Sequence, residues 1–257
     1  MKDVQQEPDS RNIQIDRVGV KGISYPIIAL DHENRTQSTI ASVSMSVMLP
    51  REYRGTHMSR FIETLEEYKG RVSPSNLEAF TRRLCEKLTA SESSVRFEFP
   101  YYYRKKAPVS GIESFSKCDI DLLADYAGGR FDMVIGLGLN VQTLCPCSRE
   151  ISRYGAHNQR AYVSLKVRCR GLVWFEELIS IIEASGSAPL YTLLKREDEK
   201  FITETAYETP RFVEDVIREL AVKLDSEPRI LWYKASVTSM ESIHNHDAFA
   251  EIERAKS

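Results

Sequence analysis

No stretch of this chain carries an apolar run of the roughly 18 residues that would cross a bilayer as a helix, and the N-terminal MKDVQQEPDSRN has no apolar core of the kind a secretory signal needs. Both absences point to a cytoplasmic protein with no membrane partner. An excess of one charge is missing too: 35 Lys and Arg stand against 37 Asp and Glu, a net charge of −2. That balance offers no global attraction to nucleic acid, so an anionic ligand has to be met by a local basic cluster. Cysteines number only five in 257 residues, at Cys85, Cys118, Cys145, Cys147 and Cys169. An odd, irregular set does not suggest a disulfide framework in a chain of this size. Histidine is equally scarce at five. What is present is an ordinary composition, 42% hydrophobic and 28% charged, with enough apolar material for two units of roughly 100–150 residues each.

Patterning sets the element order. Ile13, Ile15, Val18 and Val20 read as a strand whose alternation breaks after Ile15, and Val43, Met45, Val47 and Leu49 alternate cleanly up to Pro50. Met58 to Tyr68 has helical periodicity. Ser73 and Pro74 open a second helix as N-cap and first position, with Leu77, Phe80, Leu84 and Leu88 on one stripe. Strands return at Val95 to Phe99 and at Ile112 to Asp125, the latter ending near Gly128 and Gly129. The second half repeats this order. Phe131 to Val141 and Ala161 to Cys169 alternate, Trp174 to Ala184 and Pro210 to Leu224 are helical with Thr209 as the cap of the latter, and Arg229 to Met240 closes as a strand. A final strand of the second copy is not evident. The expected fold class is therefore α+β, a tandem duplication of a β-β-α-α-β-β unit over 1–128 and 129–257, each an antiparallel sheet with two helices on one face. The uncovered sheet face invites homo-oligomerisation.

The densest chemistry lies in L-C-P-C-S-R-E-I-S-R-Y-G-A-H-N-Q-R, from Leu144 to Arg160. Thiolate and imidazole suit borderline-soft divalent metals, and a turn at Gly155 lets His157 fold back towards Cys145 and Cys147. One C-x-C pair and one histidine are too few for a closed structural zinc cage, so a remote residue or water has to complete the shell. Read as extended chain, the segment points both sulfurs the same way, with Pro146 stiffening the approach; the alternative is two small buried hydrophobes. A second segment, Leu193 to Thr205, carries a charge run that suits a solvated loop or helix start. It also offers Asp198 or Glu199 as a hard oxygen ligand and Lys195 and Arg196 to phosphate. A third, E-S-I-H-N-H-D-A-F, puts Glu241, His244 and His246 together as ligands, proton carriers or solvated surface groups. His57 precedes a helix whose N-terminal amides, with Ser59, Arg54 and Arg60, could cradle an anion; a plain cap by Thr56 competes. Glu214, in the first turns of a helix, either complements the dipole or accepts two parallel hydrogen bonds from a guanine edge.

Together the segments T-L-C-P-C-S-R-E-I-S-R-Y-G-A-H-N-Q-R, L-L-K-R-E-D-E-K, E-S-I-H-N-H-D-A and R-G-T-H-M-S-R-F, with D-V-Q near the N-terminus and V-G-V-K-G-I-S-Y-P after it, resemble the type IB GTP cyclohydrolases almost end to end. The resemblance implies two tandem tunnelling-fold units in a homo-oligomer, expected as a homotetramer, with sites at subunit boundaries. It implies that Cys145, His157 and Glu199 hold a divalent metal (Zn, Mn or Fe) and leave room for water. Cys147, Glu241, His244 and His246 then look like pocket residues for proton transfer or further coordination, and Glu214 like the purine anchor. The implied reaction opens the imidazole ring of GTP at C8, releases formate and closes to 7,8-dihydroneopterin triphosphate, with Lys195, Arg196, Arg60 and Arg160 expected on the triphosphate beside His57 and Ser59. Two rival readings stand beside it: an archaeal-type relative that shares most of these motifs and makes a cyclic phosphate of dihydroneopterin from GTP, and, more distant, a tunnelling-fold nitrile reductase of queuosine synthesis. A structural metal module is the non-enzymatic alternative.

Overall fold

The computed structural model describes residue 5 and residues 7–33 and 35–256; Asp3 and Val4 of the D-V-Q motif lie outside them. The first elements are β1 (Ile15–Asp31), β2 (Arg35–Leu49), α1 (Met58–Tyr68), β3 (Arg71–Val72), α2 (Pro74–Leu88), β4 (Glu92–Lys106), β5 (Glu113–Ala127) and β6 (Arg130–Leu144). After these come α3 (Pro146–Ile151), β7 (Asn158–Cys169), α4 (Phe175–Glu183), β8 (Ala188–Pro189), α5 (Arg196–Glu208), α6 (Val213–Ser226), β9 (Ile230–Ser239) and β10 (Ala248–Ala255). The chain groups into two compact units, residues 1–100 with 121–135 and residues 101–120 with 136–257. Strands β4, β5 and β6 each begin in one unit and end in the other.

In the first unit the strands run β4-β2-β1-β3, with β1 and β4 antiparallel to β2 and the short β3 parallel to β1. The broken alternation near the start of β1 has a physical origin: its register against β2 shifts between Ile15 and Val18 and again between Val20 and Ile23. Each shift of one residue turns the side chains to the other face. Helix α2 starts as its sequence predicts, the Ser73 hydroxyl accepting the Asn76 amide at 3.3 Å with Pro74 in the first turn, a cap worth about 1 kcal/mol. At α1 the N-cap position falls on His57, whose side chain makes no capping bond, and Thr56 is buried just before it. Gly128 and Gly129 both have positive φ, 57° and 76°, in the tight turn between β5 and β6, the conformation that hairpins of this length require.

In the second unit the order is β10-β9-β7-β6-β5-β4, with β8 paired to β6. Ala161, Val163, Leu165 and Val167 are fully buried along β7 while the residues between them are not, the period-2 pattern read from sequence. Helix α6 buries Val216, Leu220 and Leu224 against β9 and β10, each such side chain contributing roughly 1.5–3 kcal/mol. Two readings are corrected here. The second unit carries α3 and α5 besides the two expected helices, α4 and α6, while β10 supplies the final strand that the β-β-α-α-β-β order calls for. Thr209 ends α5, its amide bonding the Thr205 carbonyl, so α6 begins later with Phe212 as N-cap and the Asp215 carboxylate accepting the Phe212 amide at 3.0 Å. The charge run from Leu193 to Thr205, read as a solvated loop or helix start, becomes helical from Arg196, with Asp198, Ile202 and Ala206 as its buried residues.

Candidate functional site

Strand β6 delivers Leu144 and then stops, because Cys145 turns into α3. The Cys145 sulfur accepts the Ser148 amide at 3.3 Å and Pro146 occupies the first turn. The two cysteines thus do not share one side of an extended segment: Cys145 caps a helix and is half-buried, while Cys147 lies within it and is exposed. After α3 the chain reverses at Gly155, whose φ of 121° only glycine adopts without strain. The return pins His157 twice by its backbone. Its carbonyl accepts the Cys145 amide at 3.1 Å, and its own amide donates to the Ser148 hydroxyl at 3.2 Å.

The side chains around His157 form one polar network. Its Nδ1 lies 3.0 Å from Gln159 Oε1, while Gln159 Nε2 donates to Thr143 Oγ1 at 3.2 Å and to Glu241 Oε1 at 3.3 Å. Thr143 is buried and meets the buried Ser239 hydroxyl at 3.3 Å. Past Ser239 the Met240 amide bonds the Arg160 carbonyl at 3.0 Å, which carries Glu241 to within 3.9 Å of His157 Nδ1. Both side chains are largely buried, 12% and 14% exposed. His244 meets the His157 ring edge-on at a centroid distance of 6.5 Å, and His246 stacks on His244 at 5.2 Å. The third sequence segment is therefore folded over the first. Thr143 and Ser242 were missed by sequence reasoning; Gln159, one of the polar groups flanking His157 in sequence, lies two residues from a histidine entering a strand and so on the same face.

Helix α5 is docked beside this edge. Ile202 and Ala206 pack in a small core with Leu144 and Ala188, against which Ala156 and Tyr191 also lie. Leu144 and Ala156 immediately precede Cys145 and His157. Glu199 shares the helix face of Ile202 and Ala206 by its i, i+3, i+7 spacing and is exposed. Asp198 is no candidate ligand: fully buried, it accepts the Ser110 hydroxyl at 2.6 Å, the Val109 and Ser110 amides at 2.9 Å and the Lys195 amide at 2.8 Å. Burial alone raises its pKa, but the bonds from Ser110, Lys195 and Val109 outweigh burial and hold the carboxyl well below the usual range. Lys195 and Arg196 are exposed at the start of α5. The α6 entrance is tied in as well, since the Arg211 amide donates to the Leu144 carbonyl at 3.0 Å. Glu214 is exposed in the first turn that follows.

Arg160 lines a cavity of about 210 Å³ with Lys117, Asn140, Glu183 and Tyr191, into whose walls the buried Asn140 Oδ1 brings no hydrogen-bond partner among the described residues. His57, Ser59 and Arg60 belong to the first unit. There Arg60 Nη1 donates to the Lys87 carbonyl at the end of α2, 2.9 Å away. Among the described residues no group of three or more His, Cys, Asp or Glu side chains is gathered in metal-holding geometry. What the second unit does gather is His157, bonded through its backbone to Cys145, with Glu241 and His244 beside its ring and His246 stacked on His244. These are soft sulfur, imidazole nitrogen and carboxylate oxygen, a donor set that fits zinc, manganese or iron.

An α+β scaffold of this kind is a tunnelling fold. Uricase from Arthrobacter globiformis superposes with a TM-score of 0.58, covering 94% of this chain and 93% of its own at 10% identity, a likeness of fold alone. Residues 1–250 match the family described as Type I GTP cyclohydrolase folE2. The GTP cyclohydrolase FolE2 of Kosmotoga olearia is 50% identical over 257 residues, the whole of both chains. That of Geotalea uraniireducens is 50% identical over 256 residues, 100% of this chain and 94% of its own. The chain belongs to the type I GTP cyclohydrolase FolE2 family, a family of hydrolases.

Proposed function

We propose that this family member converts GTP and water to 7,8-dihydroneopterin triphosphate and formate, the entry to folate and other pterins. The work is done at the Cys145 and His157 edge with a divalent metal held by Cys145, His157 and Glu199. The observation that carries the reading is local: the Cys145 amide bonds the His157 carbonyl at 3.1 Å, and Ile202 and Ala206 of α5, the helix that carries Glu199, cluster with Leu144 and Ala156, which precede the two. When bound, the metal supplies Lewis acidity that brings hydroxide chemistry near neutral pH.

The chain's own residues divide the remaining tasks. Glu241, His244 and His246 stand over His157, and Cys147 is exposed on α3. They move the protons that opening at C8, loss of formate and ring closure each demand. Glu214, exposed in the first turn of α6, accepts the N1–H and exocyclic amine of guanine, a charge-assisted pair of bonds. Lys195 and Arg196 meet the triphosphate, Arg160 joins them from β7, and His57, Ser59 and Arg60 contribute the α1 N-terminus. Assembly as a homotetramer in the cytoplasm completes sites at subunit boundaries. No helix among the described residues is long and apolar enough to cross a membrane.

Metal content and GTP turnover, measured together on the parent, Cys145→Ser, His157→Ala and Glu199→Gln, test this. The parent is expected to carry one metal per site and release formate, and each variant to lose both. A Cys145→Ser protein that turns over GTP like the parent contradicts the ligand assignment.

A further inference from the structure

Resting on the metal reading above, we propose that Gln159 is a positioning residue that fixes the tautomer of His157, so that its Nδ1 carries the proton and its Nε2 lone pair is left for coordination. The direction of the Gln159 amide follows from chemistry. A carboxylate accepts and does not donate, so the group 3.3 Å from Glu241 Oε1 has to be the Gln159 NH₂. The same NH₂ reaches the Thr143 hydroxyl at 3.2 Å. Gln159 Oε1 is thereby left facing His157 Nδ1 at 3.0 Å, and two atoms in that relation bond only if Nδ1 is protonated.

Ser242 is compatible with the same direction. Its hydroxyl lies 3.3 Å from Gln159 Oε1, an oxygen that only accepts, and 3.5 Å from Nδ1; with its single proton on the Oε1 side, its lone pairs face Nδ1. Glu241 Oε2, 3.9 Å away, is another acceptor. Gln159 Oε1 and Glu241 Oε2 can only accept from Nδ1, and in a neutral imidazole protonated there the other nitrogen is the ligand atom. Thr143 at the end of β6 and Ser239 at the end of β9 hold Gln159 from beneath, both buried. Partners of this kind around a ligating histidine typically change metal affinity by about 10–100-fold when removed.

The test uses the full-length, metal-stripped protein with ¹⁵N-labelled histidine. Long-range ¹⁵N–¹H spectra are expected to show His157 in the Nδ1–H form in the parent and largely in the Nε2–H form in Gln159→Leu. Zinc titrated against a competing chelator should bind Gln159→Leu about 10–100-fold more weakly. The exchanged pair Gln159→Glu with Glu241→Gln keeps an acceptor at Nδ1 and a donor behind it, so it should restore both the tautomer and the affinity. Gln159→Leu with an unchanged tautomer and parental zinc affinity overturns the proposal. So does failure of the exchanged pair to restore the Nδ1–H form. A parent that shows the Nδ1–H form, lost in Gln159→Leu, yet binds no zinc supports the role of Gln159 and overturns the metal reading instead.

Discussion

Truncating Ile202 to alanine tests whether the small core under α5 seats the helix that bears Glu199. Ile202 is 9% exposed and packs with Leu144, Ala188 and Ala206. Removing three carbons forfeits roughly 2.4 kcal/mol at about 0.8 kcal/mol per buried methylene. The cavity term is taken as small because Ala156 and Tyr191, at the margin of the cluster, are only partly buried, so the site lies near solvent. The sum is about 2.5–3 kcal/mol, near the lower end for such truncations. At about 2–4 °C per kcal/mol for a chain of this size, the melting temperature should fall by about 5–12 °C. Zinc affinity should fall with it, since Glu199 rides on the same stripe. The conservative Ile202→Val should cost only about 0.5–1.5 kcal/mol and leave zinc binding close to the parent's. Thermal melts with and without zinc read both quantities. An Ile202→Ala protein that melts with the parent shows that this cluster does not hold α5, and one that melts low but binds zinc as tightly as the parent separates Glu199 from the metal.

Asp198 sets an acid limit on stability. Its folded-state pKa is depressed, so its contribution is fully present above the unfolded value of about 3.9 and is lost as pH falls through the folded value; Asp198→Asn should lower the melting temperature near neutrality and flatten its fall below about pH 4. Glu214→Gln replaces one acceptor oxygen by a donor facing the guanine edge, which should weaken GTP binding by roughly 1.5–3 kcal/mol and raise KM more than it lowers kcat; an unchanged KM removes Glu214 from the purine site. Charge reversal at Lys195, Arg196 and Arg160 should each weaken GTP binding, and unchanged affinity in all of them sinks the triphosphate assignment. Arg60→Glu should add a stability loss of its own, because the Lys87 carbonyl at the end of α2 loses its donor.

Much of the fold was legible because its elements bury one face. The alternation of Val163, Leu165 and Val167 and the stripe of Leu77, Phe80 and Leu84 survive intact as β7 and α2. Where the reading went astray, a local polar interaction outranked periodicity. The Asp215 carboxylate moved the start of α6 past Pro210, and Cys145 acting as a helix cap broke the extended C-x-C segment. Helix α5 was hidden by charge: its buried stripe is only Asp198, Ile202 and Ala206, and the buried member that looked most like a ligand is consumed by bonds to Val109 and Ser110, far away in sequence. The turn at Gly155 and the approach of His157 to Cys145 were readable from spacing. The role of Gln159 was not, since it depends on Glu241 arriving from the end of β9 to orient the amide.

The most direct measurement is identification of the products after incubating the purified, zinc-loaded protein with GTP, by mass spectrometry of the pterin and an enzymatic assay of formate. Equimolar formate and 7,8-dihydroneopterin triphosphate, both abolished by a chelator and by Cys145→Ser, are expected. GTP recovered intact under zinc, manganese and iron loading, or formate accompanied only by a cyclic phosphate of dihydroneopterin, contradicts the proposed reaction.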